Sequence, residues 1–134
     1  MGDFPPLQSE SIVFRAIIYD NLIKKDGSVR WQAFKPREKD VDGVSVAFTV
    51  QDAVSQFSDP IFGMMSVQVG RVREIAYQNI TLDVIQDEDT HANITGIPYI
   101  WNLAGEEKIT LEDIMQYLCN QIVKLAAQKI DYEA

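Results

Sequence analysis

Cysteine and histidine are almost missing from this chain, which has Cys119 and His91 as its only residues of these types. A single cysteine cannot form an internal disulfide, so the fold needs no oxidising compartment. A single histidine excludes mechanisms that use two, and it leaves a zinc-type site short of imidazole ligands. The acids beside it in DEDTH, residues 87–91, are typical of a solvated loop. We therefore predict no metal site and no bound cofactor.

Long apolar segments and phosphate-binding glycine loops are also missing. No run is long enough to cross a membrane, and the start MGDFPPLQSE lacks the basic and apolar regions of a signal peptide. The P-loop, G-x-S-x-G, C-x-x-C and H-E-x-x-H motifs do not occur, which excludes the enzyme classes that they mark. We expect a cytoplasmic protein with no membrane attachment.

Positive charge is scarce: twelve lysines and arginines face twenty aspartates and glutamates, for a net charge of −8. Such a charge repels the phosphates of nucleic acids. We therefore expect no nucleic-acid partner, and we expect a protein partner or another copy of the chain instead. The bases form short, interrupted groups, which leaves open a small basic groove on an acidic body.

Apolar runs and period-two alternation predict most of the secondary structure. Pro5 and Pro6 make residues 1–8 an extended lead-in. DEDTHANITG, residues 87–96, is predicted to be a loop, and IPYIW a short extended or edge segment. In the strand at 44–50, one face carries small side chains, so we expect another element to cover it. Strands are predicted at residues 11–19, 29–34, 44–50, 64–69 and 80–87.

A long amphipathic helix is predicted near the C-terminus. Thr110 is its expected N-cap with Asp113 as the capping-box acid, and Ile109 and Ile114 would form a hydrophobic staple. Cys119 falls in the same pattern and is expected to be a buried thiol. The helix would run for about five turns. Its predicted core-facing residues are Leu111, Ile114, Met115, Leu118, Ile122, Leu125, Ala126 and Ile130.

This order of elements predicts one α+β domain over residues 1–134. The sheet would have about five strands in mixed or antiparallel order, and the long helix would pack on one of its faces.

Three residues are weak catalytic candidates. Arg15 places a charge in an apolar strand, which is costly unless the charge is paired. Either a structural acid such as Asp83 or a bound anion would pair with it, and we favour the acid. Ser45, central in the 44–50 strand, is a candidate beside it. His91 would serve as a general acid or base, or would fasten its loop to nearby main chain, and we favour the second role.

Aromatic residues suggest a pocket for a flat ligand. Trp31, Phe34, Tyr99 and Trp101 would line it, although aromatic side chains on alternating strands more often fill a core. The resulting candidates for ligand binding are Arg15, Trp31, His91, Asn93 and Trp101.

Four segments resemble small uncharacterised bacterial proteins that are common in cyanobacteria. These proteins share an arginine-bearing first strand, a DG-S-V strand and an HA-I-GIP segment. The resemblance implies a bacterial, cytoplasmic protein, and it implies that Arg15, Ser45 and His91 are shared positions. The segments are FRAI (14–17), AFKPREKDVDGVSV (33–46), VREI (72–75) and LDVIQDEDTHANITGIP (82–98).

A looser similarity is to the ADP-ribosyltransferase-like fold, in which Arg15 and Ser45 would occupy the early arginine and later serine positions. The late catalytic glutamate of that fold has only stand-ins here, namely Glu106, Glu107 and Glu112. This similarity implies a small enzyme acting on a nucleotide or a phosphorylated ligand.

Three functional hypotheses follow. The first is an accessory module, in a bacterial stress, defence or toxin–antitoxin context, that holds a protein partner through an exposed aromatic edge and an acidic surface. The second is the small enzyme just described. The third is a self-assembling structural protein joined through a strand edge or the C-terminal helix. We favour the first, and thus a protein that is not an enzyme.

Overall fold

β-Branched and apolar residues form most of a six-stranded sheet in the computed structural model, which describes residues 4–58 and 60–129. The strand order is β6-β7-β2-β1-β3-β8 and every pairing is antiparallel, while β4 and β5 form a separate ribbon. The strands are β1 (Ile12–Ile17), β2 (Val44–Ala47), β3 (Gly63–Gln68), β4 (Ala76–Tyr77), β5 (Ile80–Thr81), β6 (Asp83–Glu88), β7 (His91–Thr95) and β8 (Ala127–Lys129).

Three α-helices and two 3₁₀ helices complete the described part of the protein. The α-helices are α1 (Val50–Ser55), α2 (Val69–Arg73) and α3 (Gly105–Leu125), and the 3₁₀ helices are Asp20–Leu22 and Trp31–Phe34. The predicted α+β class, with an antiparallel sheet and a long helix on one face, is confirmed. None of the described helices combines the length and the hydropathy of a membrane span.

The sheet has two unequal faces. The α3 face carries the large apolar core, to which the helix contributes Met115, Leu118, Cys119 and Ile122. The opposite face carries a small cluster in which Ala53 of α1 covers the sheet. Small side chains there let α1 lie close to the strands, which confirms the expected cover over the small face of β2. This cluster consists of Ala16, Ala47, Ala53 and Met64.

Helix α3 begins earlier than the predicted cap. Ala104 is the N-cap and Thr110 lies inside the helix, so the predicted capping box and staple are wrong. Residues 105–109 include good helix formers, and they extend the helix without any core contact. At the other end the helix stops at Leu125 because residues 127–129 pair with β3 instead. The predicted core position Ile130 lies outside the described residues.

Two further predictions are wrong. Residues 31–34 form a 3₁₀ helix and no strand. The helix buries the adjacent residues Ala33 and Phe34 together, whereas a strand would point them to opposite faces. The predicted loop at 87–96 contains β7, which lies between β6 and β2. The acids before His91 are typical of a loop, which is why the strand was not predicted, although its middle residues are all buried.

Candidate functional site

Arg15 lies inside the protein, where it binds main-chain oxygens. Its side chain is 5% exposed. Nε donates to the Ala33 oxygen at 2.6 Å, and one terminal nitrogen donates to the Ser45 oxygen at 2.7 Å. The predicted ion pair with Asp83 is wrong, because Asp83 accepts from Arg73 Nε at 2.7 Å. Arg15 therefore joins β1 to β2 and to the 3₁₀ helix.

A buried acid and an aromatic ring accompany this guanidinium. Asp40 has a side chain that is 3% exposed, and it pairs with Arg37 at 3.1 Å. The Phe57 ring centroid lies 5.9 Å from the Arg15 guanidinium carbon and 4.8 Å from that of Arg37. Burial lowers the pKa of Arg15 to about 10, although the charge of Asp40 opposes this shift. Arg15 therefore stays charged at neutral pH. We call Arg15, Arg37, Asp40 and Phe57 the inner cluster.

His91 lies on the other side of the sheet, in a polar group of its own. It is opposite Ala47 on β2, which belongs to the α1-side cluster. Its Nδ1 is 2.5 Å from an Asp87 carboxylate oxygen, and the second oxygen accepts from Asn93 at 3.0 Å. The predicted contact of His91 with main chain is thus replaced by a carboxylate contact across the β6–β7 hairpin.

The three catalytic candidates do not meet in one cleft. Arg15 alternates along β1 with Ala16, which faces α1, so the Arg15 side chain leaves the strand on the α3 face. His91 and the Ser45 side chain are both on the α1 face, because Ser45 is two residues from Ala47 on β2 and is opposite Asn93. Ser45 reaches Arg15 only through its main-chain oxygen. The structure therefore places the Ser45 side chain on the same face as His91 and leaves the Arg15 side chain apart from both.

Of the predicted ligand-binding aromatics, the two tryptophans differ. Trp31 is partly buried and packs against the large core. Trp101 is 46% exposed, and its ring nitrogen donates to the Pro36 oxygen at 2.8 Å. Only Trp101 therefore presents its ring to the surface.

Trp101 lines a surface groove of about 350 Å³. Tyr19, which is 58% exposed, lines the same groove. A neighbouring cavity of about 520 Å³ continues it past Lys39. We call this surface the basic aromatic groove. Its lining residues are Tyr19, Leu22, Gln32, Lys35, Pro36, Arg37, Glu38 and Trp101.

Several contacts hold the groove in a fixed shape. The Tyr99 hydroxyl donates to the main-chain oxygen of Glu38, so the main chain of residues 36–38 accepts hydrogen bonds from both Tyr99 and Trp101. Lys35 lies 5.0 Å from the centre of the Trp101 ring, which is cation–π distance. Arg37 belongs to the groove and also to the inner cluster. The exposed rings are therefore backed by hydrogen-bonded main chain and, through Arg37, by the buried inner cluster.

The groove is also the basic part of an acidic protein. All of its lining residues except Trp101 come from residues 15–39. That segment carries seven of the twelve bases and three of the twenty acids, for a net charge of +4 in a protein of net −8. This charge imbalance is the feature of the sequence that could have indicated the groove. No local pattern predicts the contact between Trp101 and Pro36.

No metal-binding group of three or more histidine, cysteine, aspartate or glutamate side chains occurs within residues 4–58 and 60–129. Comparison of the sequence and the fold with known protein families, with curated proteins and with solved structures finds no match.

Proposed function

We propose that the protein is a binding module that holds a segment of a protein partner in the basic aromatic groove. One observation carries this proposal: two aromatic side chains, Tyr19 and Trp101, are about half exposed and face one groove whose backbone is fixed by hydrogen bonds. Tryptophan, tyrosine and arginine dominate the residues that contribute most to binding at protein interfaces. A fixed shape lowers the entropy cost of binding.

Size and charge support a particular kind of segment. A groove of about 350 Å³ is within the size range of binding pockets and accepts one or two large side chains. Lys35 and Lys39 add positive charge at the groove and at its continuation. The favoured segment therefore carries an apolar anchor and flanking carboxylates, which suits charge complementarity.

The resemblance described above favours a bacterial, cytoplasmic protein. As a separate hypothesis, we propose that the module is an accessory component of a stress, defence or toxin–antitoxin system. The acidic charge outside residues 15–39 supports a protein partner over a nucleic acid. The enzyme hypothesis gains no support from the placement of Arg15, which is buried, and His91, which is on the opposite face.

A crosslinking experiment tests the proposal. A photoreactive amino acid replaces Gln32, which lines the groove, or Gln51, which is exposed on α1 and does not line it. We expect a partner to be captured in cells from position 32 and not from position 51. Equal capture from both positions would contradict the proposal.

Binding of the purified partner is then measured by calorimetry with two matched variants. Trp101→Ala removes an aromatic ring from the groove, and Tyr117→Ala removes an equally exposed ring, at 43%, from elsewhere. We expect Trp101→Ala to weaken binding at least about tenfold, as the loss of an interface hot spot does, and Tyr117→Ala by less than about twofold. Equal losses would place the interface outside the groove.

A further inference from the structure

The first six residues of helix α3, from 105 to 110, are all exposed. No residue from 105 to 114 is buried, and Met115 is the first buried residue of the helix. Ile109 is 65% exposed, which is unusual for an isoleucine in a helix that contacts the core further along. This helix start therefore has an apolar side chain without a cover in the described structure.

The helix start is also acidic. Residues 105–114 contain four acids and one base. A helix turns by about 100° per residue, so Glu106 and Asp113 lie close to Ile109 on one face, while Met115 and Leu118 point to the opposite side. The outward face thus presents an apolar side chain between two carboxylates.

We propose that this outward face of α3 in one copy occupies the basic aromatic groove of a second copy. This inference rests on the proposed function, because it uses the same groove as the binding surface. Ile109 would contact the rings of Tyr19 and Trp101, while the carboxylates of Glu106 and Asp113 face Lys35 and Lys39. The protein thereby supplies the segment that the groove favours, an apolar anchor with flanking acids.

The spacing of the charges agrees with this fit. Glu106 and Asp113 are separated by seven residues of helix, a rise of about 10 Å. Lys35 and Lys39 are four residues apart in a non-helical segment, which spans at most about 13 Å. The separation of the acids lies within that limit, so each acid can face one lysine while the helix stays intact.

A second copy fits better than the groove of the same copy. Among the described residues, those after position 100 contribute only Trp101 to the groove, and Ile109 stays exposed. Trp101 and Gly105 are four residues apart, so the groove and the helix start are neighbours on each copy. A two-fold axis would let each copy fill the groove of the other, which gives a closed dimer.

Sedimentation velocity of the 134-residue chain over a range of concentrations tests the dimer. The groove variant is Lys35→Glu/Lys39→Glu, and the helix variant is Glu106→Lys/Asp113→Lys. We expect the wild type to shift from monomer to dimer with concentration, and each variant to dimerise at least tenfold more weakly. An equal mixture of the two variants should associate again, because both charge signs are exchanged.

Lys24→Glu/Lys25→Glu is the matched control, since it makes the same change of charge on a turn outside the groove. It should dimerise within about twofold of the wild type, and circular dichroism should show that every variant is folded. A wild type that stays monomeric would overturn the dimer, and so would a mixture that fails to associate. If Trp101→Ala still weakens the binding of a captured partner in those cases, the proposed function stands without the dimer.

Discussion

Two clusters pair cations with aromatic rings on either side of Arg37, and they differ in what their groups contact. In the inner cluster, Arg15 is 5% exposed and donates to two main-chain oxygens. In the basic aromatic groove, Lys35 contacts the Trp101 ring and forms no ion pair within the described residues. A cation beside an aromatic ring thus supports the fold in the inner cluster. In the groove, the cation and the ring remain available to bind a partner.

Both clusters contact one structural element, the 3₁₀ helix Trp31–Phe34. Arg15 donates to the oxygen of Ala33, and the Cys119 thiol donates to the oxygen of Phe34 at 3.3 Å. These two buried donors hold the element from which the groove residues Lys35 and Pro36 continue. We therefore expect substitutions at Arg15 and Cys119 to lower stability. Substitutions in the groove should lower binding with little loss of stability.

The largest effect is expected from Arg15→Met. This change leaves the oxygens of Ala33 and Ser45 without their donor and removes the cation near Asp40. Losing one partner of a buried polar network costs about 3–5 kcal/mol, so urea unfolding should show a decrease of that size. Arg30→Met, which changes an exposed arginine, should cost less than about 1 kcal/mol. Similar losses for the two variants would show that Arg15 does not hold the strands together.

A smaller, pH-dependent effect is expected at Cys119. Burial raises the pKa of its thiol from 9.0 to about 12, although the charge of Arg15 opposes this shift. The unfolded protein therefore loses the thiol proton first as the pH rises above 9. The contribution of the neutral thiol to stability is complete below pH 9 and decreases by about 1.4 kcal/mol per pH unit between pH 9 and 12.

The measurement compares the wild type with Cys119→Ala by urea unfolding under reducing conditions at several pH values from 7 to 11. Both proteins contain Arg15, so its own titration largely cancels in the difference. We expect a constant difference in unfolding free energy up to pH 9 and a steady decrease of the wild-type advantage above it. Parallel curves over the whole range would contradict the buried environment of the thiol.

The parts of the fold that could be predicted are those with strong periodic burial. β1, β3 and the second half of α3 follow from their apolar patterns, and the buried Cys119 follows with them. The start of α3 could not be located, because residues 105–110 are all exposed and local capping signals at Thr110 compete with helix propensity. β7 could not be predicted because the strand is short and the acids before it are typical of a loop.

The site was less predictable because it depends on contacts between distant segments. Trp101 was identified as a ligand-binding candidate, but its partner Pro36 is 65 residues away in sequence. Tyr19 and Lys35 carry no local motif. The charge imbalance of residues 15–39 could be read from the sequence, yet only the fold shows that these bases surround exposed rings.

The smallest effect on stability is expected from Trp101→Phe, which keeps an aromatic ring and removes the donor to the Pro36 oxygen. The loss of one partly buried hydrogen bond costs about 1 kcal/mol. Urea unfolding should therefore show a loss several times smaller than that of Arg15→Met, while binding at the groove weakens because the segment 36–38 is less firmly held. A loss as large as that of Arg15→Met would make Trp101 part of the structural support, and the distinction between a stabilising inner cluster and a binding groove would fail.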